Sequence, residues 1–336
     1  MSSDPVLEVR DLHVEIPTTR GVVHAVDGAS FTLERGGVLG LVGESGCGKT
    51  MTLRAILGLL PHPARIVSGE VLYDGVDLVR ASKAALRDVR GRAISFIFQE
   101  PMTALNPVMR VGAQIAEGPQ RHIGYSRSEA HVRALELMRV VGIPDPEQRA
   151  QAWPHELSGG MRQRVMIAIA LACGPKVVLC DEPTTALDVT IQDQILKLLL
   201  ALRDEFGASI VFVTHDLAVV AQTCRNVAVM YAGEVIETGS VADVFREPHH
   251  PYTLGLLRSV PDFENVGEVL EPIPGAPPDL VRPPSGCRFH PRCAFVQDDC
   301  RSGAFPLREH GGRATSCIHH EVAIESVREH SVIPGG

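Results

Sequence analysis

The most informative segment of this 336-residue chain reads Gly43-Glu44-Ser45-Gly46-Cys47-Gly48-Lys49-Thr50 and matches the pattern G-x-x-x-x-G-K-[ST]. It follows the apolar run Val38–Val42, which predicts a buried strand, and it precedes a helical pattern from Lys49 to Leu60. The glycines let backbone N–H groups surround phosphate oxygens, and the start of the helix adds partial positive charge. We expect Lys49 to reach the β- and γ-phosphates of a nucleotide and the Thr50 hydroxyl to bind Mg²⁺.

A second segment ends in two adjacent acids and reads Val177-Val178-Leu179-Cys180-Asp181-Glu182. An apolar strand with this ending places carboxylates at the C-terminal edge of a sheet, where open α/β folds bind ligands. Asp181 is suited to holding Mg²⁺ through water, and Glu182 is suited to orienting or deprotonating an attacking water. A solvated strand end is the ordinary interpretation of an Asp-Glu pair, but the phosphate-binding loop earlier in the chain favours the catalytic one.

The third segment, Leu157–Arg164, contains Ser158-Gly159-Gly160 at the start of a helical run. Ser-Gly-Gly at this position offers a second set of donors for an anion. An ordinary helix cap is the simpler interpretation of this segment alone. Beside the other two segments, the anion-binding interpretation is favoured.

The order of predicted elements indicates an α/β fold with a parallel sheet covered on both faces. Two early antiparallel strands are predicted at Leu7–Ile16 and His24–Leu33, a short strand at Glu70–Tyr73, and parallel strands at Ile94–Phe98, Val177–Cys180 and Ile210–Val213. The chain from Pro101 to about Pro154 has a mostly helical pattern. After about Gly233 the composition shifts to a Pro-rich stretch followed by a cysteine-rich one.

Composition excludes several classes of protein. Hydrophobic residues make up 45% and charged residues 21%, which argues against disorder, collagen and coiled coil. A formal net charge of −8 gives no electrostatic reason to expect a nucleic acid partner. The apolar runs are all shorter than about 20 residues, and the N-terminus lacks the pattern of a signal peptide. We therefore expect the chain to stay in the cytoplasm unless a partner holds it at the membrane.

Together the three segments resemble the nucleotide-binding subunit of an ABC transporter. Gln99 matches the family's Q-loop, Ala186-Leu187-Asp188 its D-loop, and His215 its switch histidine. The resemblance implies a RecA-like sheet with an antiparallel β subdomain in an ATP-binding core (1–99 and 161–235), a helical subdomain with the signature motif (100–160) and a C-terminal extension (236–336). It further implies that Gln99, Glu182 and His215 act in catalysis and that Gln99 contacts Mg²⁺.

A narrower resemblance is to the dipeptide and oligopeptide importer branch, carried by Phe98–Pro107, Thr184–Thr190 and His250-Pro251-Tyr252-Thr253. It implies an ATPase that energises peptide import with two membrane permease subunits, a second and related ATPase subunit, and a solute-binding protein, at the cytoplasmic face of the membrane. The alternatives are the same subunit type in a nickel or other small-solute importer, and a soluble ABC ATPase of DNA repair or translation. The single cassette opposes the last alternative.

The family also implies a head-to-tail dimer in which each ATP lies between one phosphate-binding loop and the partner's signature motif. Ser158 and Gly160 would then supply donors to the γ-phosphate across the interface, with Gly159 and Asp188 beside them. The segment after Gln99 would contact a membrane subunit. Met102 and Leu105 are the apolar candidates for that contact, although core packing is an equal alternative.

Four cysteines close to the C-terminus follow the spacing Cys287-x5-Cys293-x6-Cys300-x16-Cys317. In a cytosolic chain such a group favours a metal over disulfides. The gaps are wider than the usual pairs of zinc sites, whereas a [4Fe–4S] cluster requires four cysteines, and some relatives in the importer branch carry one here. We expect this cluster, with Zn²⁺ or unligated thiols as alternatives; for zinc, a histidine among His290, His310, His319 and His320 could replace a thiolate. Its distance in sequence from the ATP motifs favours a structural or regulatory role.

Overall fold

The computed structural model describes residues 5–185, 188–259 and 272–331. It divides into two compact units, of which the first comprises Met1–Leu7, Leu33–Val38 and Tyr73–Val213. The second comprises Glu8–Thr32, Leu39–Leu72 and Thr214–Gly336. Each unit is therefore assembled from separate stretches of the chain.

The strands are β1 (Pro5–Thr18), β2 (Gly21–Glu34), β3 (Val38–Val42), β4 (Arg65–Tyr73), β5 (Val76–Asp77), β6 (Ile94–Ile97), β7 (Val177–Asp181), β8 (Ser209–Thr214), β9 (Asn226–Tyr231), β10 (Glu234–Ser240), β11 (Arg308–His310) and β12 (Arg313–Thr315). The α-helices are α1 (Lys49–Ile56), α2 (Lys83–Val89), α3 (Pro101–Ala104), α4 (Val111–Gly118), α5 (Arg127–Val140), α6 (Pro146–Arg149), α7 (Gly159–Leu171), α8 (Val189–Phe206), α9 (Leu217–Thr223), α10 (Val241–Arg246), α11 (Pro251–Arg258) and α12 (His320–Ser331). A π-helix at Pro119–Ile123 and 3₁₀ turns at Pro154–Glu156, His290–Arg292 and Asp298–Arg301 complete the helical elements.

The first unit contains three parallel strands in the order β8-β7-β6. Every residue of β7 and β8 is buried, which explains their continuous apolar sequences. Helices α4, α5 and α7 pack together through buried residues such as Ile115, Leu137 and Val165. The predicted helical region is therefore confirmed as helical, broken by short turns at its prolines.

The second unit contains β3 paired in parallel with β9, and β9 continues through antiparallel pairing to β10 and β12. Strand β12 also pairs with β11, so the C-terminal part of the chain extends this sheet. A separate group of neighbours runs β2-β1-β4. An aromatic cluster of Tyr231, Tyr252 and Phe289, with ring centroids 4.5 to 5.4 Å apart, packs the C-terminal residues onto the sheet.

The predicted α/β class is confirmed; several strand ends differ from expectation by one to three residues, and α1 and β4 differ by more. Helix α1 ends at Ile56 and not at Leu60, because Gly58 adopts a left-handed conformation (φ 59°). The Gly58 N–H donates to the Ala55 carbonyl and the Leu59 N–H to the Arg54 carbonyl, which closes the helix end. Strand β4 starts five residues earlier than the predicted Glu70, at Arg65. Within the described residues, every helix is too short or too polar to cross a bilayer.

Candidate functional site

The phosphate-binding loop, Gly43–Thr50, connects β3 to α1 in the second unit. Two of its glycines are required by close approach and by positive φ. A Cβ atom at Gly43 (φ 150°) would lie 2.1 Å from the Met230 carbonyl oxygen, and one at Gly48 (φ 108°) would lie 2.3 Å from that of Ala25. The loop is therefore pressed against neighbouring backbone at both ends, while Ser45 and Gly46 between them are exposed.

Lys49 lies at the first position of α1 and is 5% exposed. Its ammonium donates to the carbonyls of Gly43, at 2.7 Å, and Glu44, at 2.9 Å, so the side chain curls back over its own loop. Thr50 follows it on the helix. Cys47 is buried in the loop, and burial raises the pKa of its thiol.

Glu44 is fixed by residues from the C-terminal part of the chain. Its N–H donates to the Tyr252 hydroxyl at 2.8 Å. The Arg292 guanidinium donates to both carboxylate oxygens, at 2.7 and 3.0 Å, and these bonds raise the pKa of Arg292 above its ordinary value. Sequence reasoning did not foresee these contacts. The available signals were Tyr252, which lies within a branch motif, and Arg292, which directly precedes Cys293.

The acidic strand end lies in the first unit. Asp181, the last residue of β7, is 2% exposed. Glu182 follows in a left-handed conformation (φ 45°), and its N–H donates to the Val213 carbonyl at 3.0 Å. Its carboxylate accepts hydrogen bonds from the Gln99 amide at 3.2 Å and the Thr185 hydroxyl at 2.9 Å. The structure thus brings together Gln99 and Glu182, two of the predicted catalytic residues.

The signature residues and Asp188 begin helices of the first unit. The Ser158 hydroxyl accepts from the Met161 N–H at 3.3 Å and caps α7, whose first residues are Gly159 and Gly160. Asp188 caps α8 by accepting from the Ile191 N–H at 2.9 Å. Both caps are exposed, which leaves them accessible to a second molecule. The D-loop residues Ala186 and Leu187 lie outside the described residues.

The remaining predicted contacts have different exposures. His215 is the residue after the last residue of β8 and belongs to the second unit. It is exposed, so the alternative of a buried structural histidine does not hold. Met102, on α3, is 51% exposed, whereas Leu105 is 3% exposed and belongs to the core. Of the two apolar candidates for a membrane-subunit contact, only Met102 presents its side chain to the surface.

Residues Cys287–Cys317 form what we call the cysteine segment. Cys287, Cys293, Cys300 and Cys317 line one cavity together with His290 and His319. Burial raises the pKa of Cys287 to about 11 and of Cys317 to about 12, and the neighbouring sulfurs add to both shifts. The four predicted ligands are therefore gathered around one space, which fits a shared metal centre.

Spacing within this cavity bears on which metal the sulfurs fit. Among the residues described, the only group of three metal-ligating side chains with all ligand atoms within 4.8 Å is Asp299, Cys300 and His319. No three of the four cysteine sulfurs approach that closely. Tetrahedral zinc with Zn–S bonds of about 2.3 Å would draw its sulfurs to within about 4 Å of one another.

Comparisons with known proteins agree with this geometry. Residues 26–185 match the family model for ABC transporters, and residues 236–300 match that for the C-terminal region of oligopeptide and dipeptide transporters. The oligopeptide transport ATP-binding protein OppD of Bacillus subtilis (strain 168) is 52% identical over 87% of this chain and 82% of its own length. OppD of Escherichia coli (strain K12) is 47% identical over 94% of each chain.

A solved structure gives the same result for the fold. An ATP-binding cassette determined as a dimer in a post-hydrolysis state with ADP and Pi superposes with a TM-score of 0.62 at 28% identity. The match covers 70% of this chain and 98% of that one. The chain belongs to the ABC transporter family, as an ATP-binding subunit of the oligopeptide and dipeptide transporter branch.

Proposed function

We propose that this chain hydrolyses ATP to drive the import of peptides through a membrane transporter. The observation that carries the proposal is the pair of acids that ends β7. Asp181 is buried at the strand end, and the Glu182 carboxylate is held by Gln99 and Thr185. A buried acid suits a cation, and a fixed carboxylate beside it suits a general base acting on water.

The phosphate-binding loop would hold the nucleotide. In this assignment, the N–H groups of Gly43–Thr50 contact phosphate oxygens, and Lys49 turns from its loop carbonyls to the β- and γ-phosphates. Thr50, Asp181 and Gln99 would hold Mg²⁺, which neutralises charge on the phosphates. His215 would contact the γ-phosphate. The exposed position of His215 after β8 supports that assignment because it leaves the ring accessible.

A second cassette would complete the site. Ser158 and Asp188 are the exposed caps of α7 and α8, and Gly159 and Gly160 are the partly buried first residues of α7, where N–H groups and the helix dipole favour an anion. We assign them to the nucleotide of a partner ATPase subunit, a related chain in a heterodimer. The ATP-binding core would comprise 1–99 and 161–235, the helical subdomain 100–160, and the extension 236–336.

An ATP-binding subunit of a membrane transporter works with permease subunits. We propose two of them here, supplied with peptide by a solute-binding protein, with this chain attached peripherally at the cytoplasmic face. Exposed Met102 on α3 supports a docking contact close to Gln99 in the sequence.

For the cysteine segment we propose a [4Fe–4S] cluster held by Cys287, Cys293, Cys300 and Cys317. The support is the cavity that all four cysteines line, together with the need of such a cluster for four thiolates. Such a cluster supplies four metal–thiolate bonds that fix an irregular segment. Zinc on Asp299, Cys300 and His319 is the competing assignment.

Metal analysis of the full chain purified without oxygen separates these assignments. We expect brown protein with about four irons per chain, lost in Cys293→Ser and retained in Cys224→Ser, because Cys224 is not among the residues that line the cavity. Colourless protein with stoichiometric zinc in the wild type would overturn the cluster.

Hydrolysis is tested by comparing Glu182→Gln with Lys49→Ala in the full chain. We expect Glu182→Gln to bind ATP as the wild type does, with turnover lowered by roughly 10²–10⁴, as for loss of a general base. Lys49→Ala should weaken ATP binding itself. If Glu182→Gln turned over ATP at close to the wild-type rate, Glu182 would not be the general base. If Lys49→Ala bound ATP as the wild type does, the loop Gly43–Thr50 would not be the nucleotide site.

A further inference from the structure

We propose that Arg292 is a positioning residue for the phosphate-binding loop, through which the cysteine segment sets the affinity for nucleotide. The inference rests on the proposed function only in placing the nucleotide at Gly43–Thr50. It assigns a role to a residue outside all of the nucleotide motifs, 248 positions away from the loop residue that it contacts.

Glu44 is the residue of the phosphate-binding loop that the C-terminal extension contacts. Its carboxylate, its N–H and its carbonyl each make hydrogen bonds. Arg292 donates to both oxygens of its carboxylate, and the Tyr252 hydroxyl accepts from its N–H. Its carbonyl accepts from the Lys49 ammonium at 2.9 Å. A displacement of the Glu44 side chain therefore shifts the backbone oxygen on which the phosphate-binding lysine rests.

Arg292 itself is held in a single orientation. It is 8% exposed, and Nε donates to the Pro274 carbonyl at 2.8 Å. Its guanidinium carbon lies 5.8 Å from the ring centroid of Tyr231 and 6.0 Å from that of Phe289. A buried cation with this many partners cannot turn away without leaving charge unpaired on both sides, which is strongly unfavourable. The bidentate pair therefore fixes the position of the Glu44 carboxylate relative to Arg292, in addition to attracting it.

The cysteine segment supplies this arginine. Arg292 ends the 3₁₀ turn that begins at His290, and Cys293 is the next residue. Cys287 and Cys293, on either side of this turn, pack against the core that contains Phe289. A group that holds Cys293 in place therefore restricts the backbone position of its neighbour Arg292.

A second arginine supports the same loop from its other end. Arg288, next to Cys287, pairs with Glu234 at 2.9 Å and with Asp27, and it donates to the Ala232 carbonyl. The neighbouring Gly233 N–H donates to the Cys47 carbonyl of the loop at 2.9 Å. Each arginine adjoins one cysteine of the segment, and each contacts the loop or the residue next to a loop contact.

The physical consequence is a coupling between the segment and the nucleotide. A segment that loosens releases Glu44 and lowers the affinity for ATP. By linkage, bound nucleotide must stabilise the segment by the same factor. The effect falls on the affinity and the KM for ATP, because Arg292 acts on the loop that binds the nucleotide, and we expect the hydrolytic step to be unchanged.

The test measures ATP affinity and steady-state hydrolysis of the full chain carrying Arg292→Gln, Arg292→Lys or Glu44→Gln. We expect Arg292→Gln to raise the Kd and the KM for ATP about 5- to 10-fold, the low end of couplings between sites, with kcat within about 2-fold. Arg292→Lys, which keeps the charge and loses the fork, should recover part of the affinity. The double variant with Glu44→Gln should be no weaker than the weaker single variant.

Arg313→Gln is the matched control. Arg313 is a partly buried arginine of the same extension that pairs with Glu247 at 3.4 Å and donates to the Asp243 and Glu247 carbonyls; we expect the ATP affinity of this variant to equal that of the wild type. Unchanged affinity in Arg292→Gln, or additive losses in the double variant, would overturn the inference. If Arg292→Gln does not fold, Glu44→Gln decides alone, since it breaks the same pair from the loop side. If Lys49→Ala weakens ATP binding while Arg292→Gln does not, the nucleotide assignment stands and only the role of Arg292 is wrong.

Discussion

The carboxyl group of Glu237 is buried in the fold. It lies on β10 with its side chain fully buried and accepts hydrogen bonds from the N–H groups of His249, at 2.6 Å, and His250, at 3.0 Å. Burial raises its pKa to about 7 in spite of these bonds. The carboxyl thus holds the turn that precedes α11, the helix that carries Tyr252 to the phosphate-binding loop.

A raised carboxyl pKa makes stability depend on pH. The pKa of Glu237 is near 4.5 in the unfolded state and near 7 in the folded state, so the folded state binds the proton more tightly. The stability that this proton contributes is therefore lost as the pH rises through that range. Burial lowers the pKa of His250 to about 3, so its effect on stability has the opposite dependence on pH. The stability of the wild type must therefore be compared with that of Glu237→Gln at each pH. From pH 5 to pH 8 we expect the stability of the wild type relative to Glu237→Gln to fall by roughly 2.5 kcal/mol.

Unfolding in denaturant at each pH measures this difference. The exposed Glu309, on β11, gives the control, since Glu309→Gln should follow the wild type at every pH. A constant difference between wild type and Glu237→Gln would contradict a perturbed carboxyl at this position.

At the scale of elements, the short helix α3 follows Gln99 closely and presents one apolar side chain. Met102 is half exposed, while Leu105 at the C-terminal end of α3 is buried in the core. The sequence pattern did not distinguish the two residues, because both are apolar and lie in the same short segment between prolines. Which of them faced solvent depended on how α3 packs against α7, and no local pattern encodes that packing.

We expect Met102→Asp to uncouple transport from hydrolysis. A charge at this exposed position should leave the fold and the basal ATP hydrolysis of the isolated chain unchanged, and it should weaken docking to an apolar partner surface. Val132→Asp, on the exposed face of α5, is the control and should transport normally. Peptide uptake by the assembled transporter is the measurement, and normal uptake with Met102→Asp would move the docking surface elsewhere.

At the scale of the whole molecule, what the sequence predicted depended on how local each feature is. The loop Gly43–Thr50 and the acids Asp181 and Glu182 were identifiable because their chemistry requires fixed residue types at fixed spacing. The gathering of four cysteines was also foreseeable, since one irregular segment carries all four. The contact of Arg292 with Glu44 was not, because the order of β9, β10 and β12 beside β3 determines it and the motifs do not.

This long-range contact changes the expectation for the C-terminal extension. Its distance in sequence from the ATP motifs favours a structural or regulatory role for the four cysteines. In the fold, the residue before Cys293 holds Glu44 of the phosphate-binding loop. We therefore expect disturbance of the segment to weaken ATP binding as well as the local structure.

Coupling of ATP hydrolysis to peptide import is measured in proteoliposomes that contain the chain with its permease subunits, its partner ATPase and the solute-binding protein. Uptake of a labelled peptide and release of phosphate are measured together, with wild type and with Glu182→Gln. We expect uptake that requires ATP on the side of this chain and that falls together with phosphate release, by roughly 10² or more in the variant. Uptake at the wild-type rate with Glu182→Gln, or uptake without ATP, would contradict this coupling.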